Sequence, residues 1–524
     1  MDSFASHKVK LDSSGRLKPW LGPESRAYDR VMKLAWDFIR KVPVEDNGLR
    51  SYLSYPTFSS DPPHRGKAWP HNPAGLYSMF VDSLVRYYPY SAEEDLVGLV
   101  GEMLDYTLAH GLTPKDWVWA GVPFASSDSG AREYQGADEA AYTIKPPPRN
   151  YIHELRPGTG DGIGVIEPDK VSEFGRALVQ YYSVTDKREY LEAAERMADA
   201  LLKNVRPSSY DRPPWPFRAF GWNGKPREEY TSNMVAHLKF FDELTKVSHS
   251  KRYGKAKKEA WSWLVSYPLK SNKWKGYFED IMLDPMNQNR EQYSALETAR
   301  YLLEQREALD ADWKEHAKKI LDWVELTFGE ERWGAVFVNE QLWSFCPMPS
   351  HTARFASVCA MWYEATGDKS YREKALRSLN ASTYFVGADG MVDTFPQQIV
   401  DGDETITRPG DPWFSDGYAD YIRNVAATIG AIPELAPSGE DHLLRSTSVV
   451  KRISYASQKV EYETCDLEAR EVLSLSFKPA VISIDGKPVK GASRNARAKW
   501  SATGRGGVLC LWHTGRKVSI LGQD

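Results

Sequence analysis

Cysteine is scarce in this chain. The four present, Cys346, Cys359, Cys465 and Cys510, show no CxxC and no His/Cys ligand spacing. That leaves no disulfide framework and no structural zinc motif to build on. Cys465 and Cys510 are one candidate pair, with buried free thiols the plainer expectation. An excess of one charge is missing too: 67 Lys and Arg face 71 Asp and Glu, a formal net charge of −4. There is no broad basic footprint for nucleic acid. No apolar run approaches the roughly 18 residues a membrane-spanning helix needs. The opening "MDSFASHKVKLDSSG" lacks the apolar core of a signal peptide. The expectation is a secreted or periplasmic protein whose leader has been removed, with the cytoplasm as the alternative. The glycines of "GTGDGIG" fall at 158, 160, 162 and 164 and follow no strand, so they do not make a dinucleotide-binding GxGxxG. "DGDE" (401–404) lacks the remaining ligand spacing of a calcium loop, and no DxDD or DDxxD cluster occurs. No metal and no cofactor is expected, and nothing speaks to oligomeric state.

What the chain does have is aromatic residues, 18 Trp and 28 Tyr among 524 residues. Many stand beside Gly, Pro and charged residues rather than in apolar runs. Large aromatics are mostly packing residues, but flat faces on loops are also what sugar rings stack on.

It also has a repeat. "VTDKREYLEAA" (184–194), "SHSKRYGKAKKEA" (248–260) and "ATGDKSYREKA" (365–375) carry the same punctuation between two stretches of helical periodicity. The aromatic after each break, Tyr190, Tyr253, Trp313 and Tyr371, recurs about every sixty residues, the mark of a structural repeat. Asp186 and Asp368 are read as N-caps of the second helix. Extending the pattern predicts six helical hairpins. Their first helices lie near 74–88, 168–184, 227–246, 288–305, 350–366 and 414–429. The second helices lie near 93–110, 187–204, 251–266, 309–328, 368–382 and, closing the circle, 26–42. The first set, richer in small and aromatic residues, would line the inside. The second, richer in Lys, Arg and Glu, would face solvent.

Six hairpins punctuated as in "YEATGDKSYREKA" resemble the (α/α)6-toroid, or six-hairpin, carbohydrate-active superfamily of glycoside hydrolases, unsaturated glucuronyl hydrolases, sugar epimerases and polysaccharide lyases. The resemblance covers about 26–435 and implies a mainly α fold, an (α/α)6 barrel, with the chemistry at the N-terminal ends of the inner helices. Residues 1–25 read as an extension. Beyond "AIPELAPSGEDHLL" the pattern turns to short alternating runs such as "VLSLSF" and "VLCLWH". These read as a small antiparallel, β-sandwich-like domain over 445–524.

The connections are unequal. Links within a hairpin are a few residues, while links between hairpins (43–73, 111–167, 205–226, 267–287, 329–349, 383–413) run twenty or more. Loops of that length in a compact domain are commonly functional. All six emerge on the side where inner helices begin.

Glycoside hydrolysis needs two carboxyl groups, one protonated and one ionised. Candidates are Asp161 in "RPGTGDGIG", the pair Glu279 and Asp280 in "GYFEDIMLD", and Asp411 and Asp416 in "GDPWFSDG". Elimination from a uronic acid instead needs a Tyr or His base and cations to hold the developing charge. "PPPRNYIHELRPG" offers Arg149, Tyr151 and His153, and "SHTARF" offers His351 with Arg354. Sugar-binding candidates are Trp69, His71, Arg149, Trp215, Arg218, Trp222, Trp274, His351 and Trp413. Each carboxylate has a plain alternative as a cap or a turn stabiliser, and His237, inside a helical stripe, reads as structural. The leading expectation is a glycoside hydrolase acting on an oligo- or polysaccharide, with uronate-containing glycans among the candidates. A polysaccharide lyase and a non-catalytic carbohydrate-binding protein stand as alternatives.

Overall fold

The computed structural model describes residues 6–59, 62–67, 71–138, 161–229, 233–274, 289–342, 345–392, 398–400, 405–407, 415–489 and 496–523. Its helices are α1 (Ala27–Arg40), α2 (Pro73–Ser91), α3 (Asp95–His110), α4 (Pro168–Thr185), α5 (Arg188–Asn204), α6 (Met234–Ser248), α7 (Gly254–Ser266), the single turn α8 (Pro268–Ser271), α9 (Tyr293–Gln305), α10 (Trp313–Phe328), α11 (Pro349–Thr366), α12 (Lys369–Thr383) and α13 (Tyr421–Ala431). Helices α2, α4, α6, α9, α11 and α13 each touch the next, and α13 returns to α2, so they close a ring. Their partners α3, α5, α7, α10, α12 and α1 pack outside them. This is an (α/α)6 toroid, and α1, from the start of the chain, completes the last pair.

Burial follows the same division. Helix α11 is buried without a break from Pro349 to Ala360, whereas its partner α12 buries only Tyr371 and Ala375 in its first nine residues and becomes continuously buried over its last turns, 378–383. An inner helix packs on every side, so its sequence lacks a clean polar face. Small residues permit this closeness: a Cβ on Gly175 of α4 would fall 2.4 Å from the Phe240 ring of α6. Helix α6 starts later than the 227 expected, because Pro226–Glu228 pairs as a strand with Arg218–Phe220.

The repeated punctuation has a backbone cause. Ala92, Asp186, His249 and Gly367, at the ends of four inner helices, are all left-handed, with φ of 58, 61, 55 and 78°. Such a residue ends a helix by turning its last N–H back onto an orphan carbonyl. Asp368 caps α12, accepting from Ser370 N at 3.0 Å. Asp186 does not cap α5; it occupies the left-handed position, and its carboxylate pairs with Lys451 at 2.5 Å. Asp enters this conformation more readily than most residues with a side chain. The recurrent aromatics are buried, and Tyr190 and Tyr371 each donate to an Asp of the preceding outer helix, Asp105 at 2.5 Å and Asp322 at 2.9 Å.

Past α13 the chain forms two antiparallel sheets. One has the strand order 442–446, 468–475, 507–514, 496–502, and the other 450–456, 459–464, 517–521, 481–484, 487–488. These strands meet the C-terminal ends of the inner helices. His442 stacks on Tyr90 at 4.1 Å, Arg445 pairs with Glu364, and a Cβ on Gly430 would fall 3.0 Å from Leu444 O. One end of the ring is therefore covered by strands. None of the four cysteines forms a disulfide, so Cys465 and Cys510 are not paired. Among the described residues no helix is long and apolar enough to cross a membrane.

Candidate active site

The opposite end is where six inner helices begin. Proline opens α2, α4 and α11 at the first-turn position, where its missing N–H costs nothing. Asn72 caps α2, accepting from Gly75 N at 3.0 Å. Asp169 ties two helix starts together, accepting from Asn233 N, just before α6, at 3.1 Å. A π-helical turn, Ser415–Asp420, precedes α13 and delivers Asp420 to the ring interior.

Charges lie one to three turns below these starts. Asp82 of α2 meets Arg423 at 3.0 Å, Arg176 at 3.3 Å and Arg86 at 3.8 Å. Glu297 of α9 meets Arg423 at 3.1 Å, Lys239 at 3.2 Å, Arg354 at 3.4 Å and Arg300 at 3.5 Å. Asp420 pairs with Arg354 and Arg423, all three deeply buried. Burial alone would push Asp82 and Glu297 up, but the surrounding cations hold both well below the usual carboxylate range. Burial lowers Arg300, with Arg423 and Arg86 adding to it. Glu173 of α4 accepts from Asn233 at 2.9 Å and Tyr293 at 3.0 Å and pairs with Lys170 at 3.2 Å. Between these groups is a cavity of about 40 Å³ lined by residues of α2, α4, α6, α9 and α13, Arg176, Asn233, Lys239 and Tyr293 among them.

Glu291 stands just ahead of α9. One carboxylate oxygen accepts from Ser294 N at 2.9 Å, and the other is buried with no hydrogen-bond partner among the described residues. Helix N-termini and backbone donors normally favour the ionised form. Here burial outweighs them and raises Glu291 to about 7. A carboxylic acid that keeps its proton near neutral pH can deliver it to a leaving group.

Three buried histidines sit close to helix starts. Arg354, which cannot accept, donates to His351 Nδ1 at 2.7 Å. Burial, with Arg354 assisting, pushes His351 well below its usual range, so the ring is neutral and carries its hydrogen on Nε2. His351 is therefore a hydrogen-bond donor rather than a base. Burial lowers His237 to about 3; its Nδ1 meets Ser172 Oγ at 2.5 Å, and its ring stacks on Trp215 at 4.2 Å. His71 is likewise lowered to about 3 by burial, and neither ring nitrogen has a hydrogen-bond partner among the described residues.

Of the residues expected from sequence, Asp161 pairs with Arg218 at 2.7 Å, and Glu167 meets the same guanidinium at 2.6 Å. Arg218 is thus buried among carboxylates. Trp215 and Trp274 are fully buried and present no face, whereas Trp222 is 44% exposed and packs edge-on to Trp117. Trp69, Arg149, Tyr151, His153, Glu279, Asp280, Asp411 and Trp413 lie outside the described residues, and of Asp416 only the backbone is described, in the π-helical turn. Sequence reasoning passed over Glu291 and most of the axial charges. The available signal was a charge interrupting an apolar inner helix, as Asp82 does in "MFVDSLV" and Arg423 in "YIRNVAA", since such residues are buried only when paired. No group of three or more His, Cys, Asp or Glu side chains suited to a metal ion occurs among the described residues.

No family model matches the chain, and no curated protein does. Solved structures with the same fold do match. A sugar epimerase from a ruminal bacterium is 14% identical with a TM-score of 0.53, over 77% of this chain and 99% of that one. A cellobiose 2-epimerase from Bacillus thermoamylovorans is 11% identical with a TM-score of 0.52, over 77% of this chain and 98% of that one. A D-mannose isomerase is 11% identical with a TM-score of 0.50, over 78% of this chain and 96% of that one. The chain has the fold of the (α/α)6-toroid carbohydrate-active proteins.

Proposed function

We propose that the protein is a glycoside hydrolase working where the inner helices begin, with Glu291 as the proton donor. The observation that carries this is the full burial of the Glu291 carboxyl group just ahead of α9, with one oxygen unpartnered among the described residues, which pushes its pKa up to about 7. Protonating the glycosidic oxygen requires an acid that keeps its proton at working pH and meets no competing acceptor. His351, neutral with Nε2–H as donor, suits a sugar hydroxyl, and the half-exposed Trp222 offers a stacking face. The second carboxyl group comes from Glu173 at the cavity wall, Asp161, or the loop residues Glu279, Asp280, Asp411 and Asp416.

The test is leaving-group dependence. Glu291→Gln lowers turnover of a natural glycan by ~10²–10⁴-fold. It costs far less on an aryl glycoside whose phenolate departs without protonation. Equal losses on both would rule out Glu291 as the acid.

A second reading, sugar epimerisation or isomerisation, draws on the names of the three solved relatives, each of which is an epimerase or isomerase. It would need a base; His237 Nε2 and both ring nitrogens of His71 are neutral and buried without a hydrogen-bond partner among the described residues. New reducing ends mark the hydrolase. Deuterium uptake from solvent into an otherwise intact sugar marks the isomerase.

A further inference from the structure

We infer that the outer face of α10 is where two copies of this chain pair about a two-fold axis. Leu326 on that face is 87% exposed, more than any other large hydrophobic side chain among the described residues. A lone exposed leucine needs no explanation. This one stands between two concavities. The first, about 690 Å³, runs back along α10 and is lined by Lys314, Lys318, Lys319, Trp323 and Trp362 among others. The second, about 470 Å³, lies towards the end of the helix and is lined by Asp322, Glu325, Gly329, Glu331 and Val336 besides Leu326 itself. An apolar knob and a hollow with two tryptophans in its wall thus share one face. A second copy turned by 180° offers each the other.

The charges select a second copy over an unrelated partner. Near the start of α10, Lys314, Lys318 and Lys319 stand with one carboxylate, Glu315, while Arg306 and Glu307 close by offset each other. Towards its end, Asp322, Glu325 and Glu331 stand with one cation, Lys374, which pairs with Glu325 at 2.5 Å. Cations near a helix N-terminus and anions near its C-terminus oppose the helix dipole, so the segregation does nothing for α10 on its own. An antiparallel copy lays the acidic end of one helix on the basic end of the other, and the two-fold axis makes every such contact twice. With Leu326 seated in the other copy's hollow beside Lys319, the axis passes between Asp322 and Trp323. Asp322 is already answered there by Lys318 at 2.7 Å and by the Tyr371 hydroxyl at 2.9 Å. Lys314 of each copy then comes opposite Glu331 of the other. Both are exposed, and neither makes an ion pair among the described residues.

The test is the mass of the full-length protein in solution, by sedimentation velocity or light scattering at low salt from about 1 to 100 µM, a range that spans micromolar association. A monomer–dimer equilibrium is expected, weakening as NaCl is raised. Leu326→Asp shifts it at least tenfold towards monomer with melting unchanged, because this side chain buries almost nothing in its own chain. Lys314→Glu and Glu331→Lys each weaken the dimer, and combining them restores it, since each contact then carries the same pair reversed. A chain that stays monomeric across the range overturns the proposal. So does a dimer that Leu326→Asp leaves intact, or a double charge reversal that associates no better than the single ones. Turnover is not read, so the outcome is independent of the hydrolase reading.

Discussion

Glu291→Gln should make the protein more stable at neutral pH while removing its activity. The carboxyl group moves from an ordinary 4.5 to about 7 on folding because it is buried. Between those two values the folded state holds a proton that the unfolded state has released. Stability therefore falls as pH rises through that window and is level on either side. At 1.36 kcal/mol per unit, the loss by pH 7.5 is about 3 kcal/mol. Glutamine has the same shape and no charge, so the variant is spared this loss. The assay is the melting temperature of both proteins from pH 4 to 8.5, read as a difference so that other titrating groups cancel. The difference should be small near pH 4, open between pH 4.5 and 7, and then stay constant in favour of the variant. In the wild-type enzyme, kcat/KM should fall on the alkaline side as Glu291 loses its proton. Parallel melting profiles would refute the burial argument. A variant that is stabilised yet fully active would leave the titration intact and remove the catalytic role.

Other expectations follow from the same geometry. Arg354→Met leaves Asp420 and Glu297 buried with a cation missing and should cost about 3 kcal/mol in urea denaturation, part of which Asp420→Asn restores in the double variant. Trp222→Ala, at a half-exposed ring, should raise KM several-fold with little change in melting. Trp215→Ala, at a fully buried one, should cost about 3–5 kcal/mol of stability. Tyr371→Phe removes the 2.9 Å hydrogen bond to Asp322 and should cost about 1 kcal/mol with turnover unchanged, because this aromatic lies at a hairpin turn away from the helix starts that carry the site.

The fold was largely legible in the sequence because its signals are local. A left-handed residue such as Gly367, a cap such as Asp368 and an aromatic such as Tyr371 act within one hairpin, and the period they mark needs no distant contact. Four of the six inner helices start within five residues of the position read from that period. The other two start seven residues late: α6 at Met234 rather than 227, and α13 at Tyr421 rather than 414, behind the π-helical turn Ser415–Asp420. The exception at α6 came from a strand pairing 218–220 with 226–228, a contact between segments that sequence periodicity does not record.

The site was legible only in outline. Sequence alone located the end of the ring to search, since the long aromatic-rich connections all lead into inner helices. It also supplied His351 and Arg354 as neighbours on one helix start. Only the tertiary structure decided their chemistry. A guanidinium turned onto Nδ1 makes His351 a donor, burial makes Glu291 an acid, and Asp161 is answered by Arg218 from another segment. Protonation and pairing depend on how far a group is removed from water and which charges stand within a few ångströms. Closing the ring sets both, by bringing Asp82, Glu297 and Arg423 from three distant parts of the chain onto one axis.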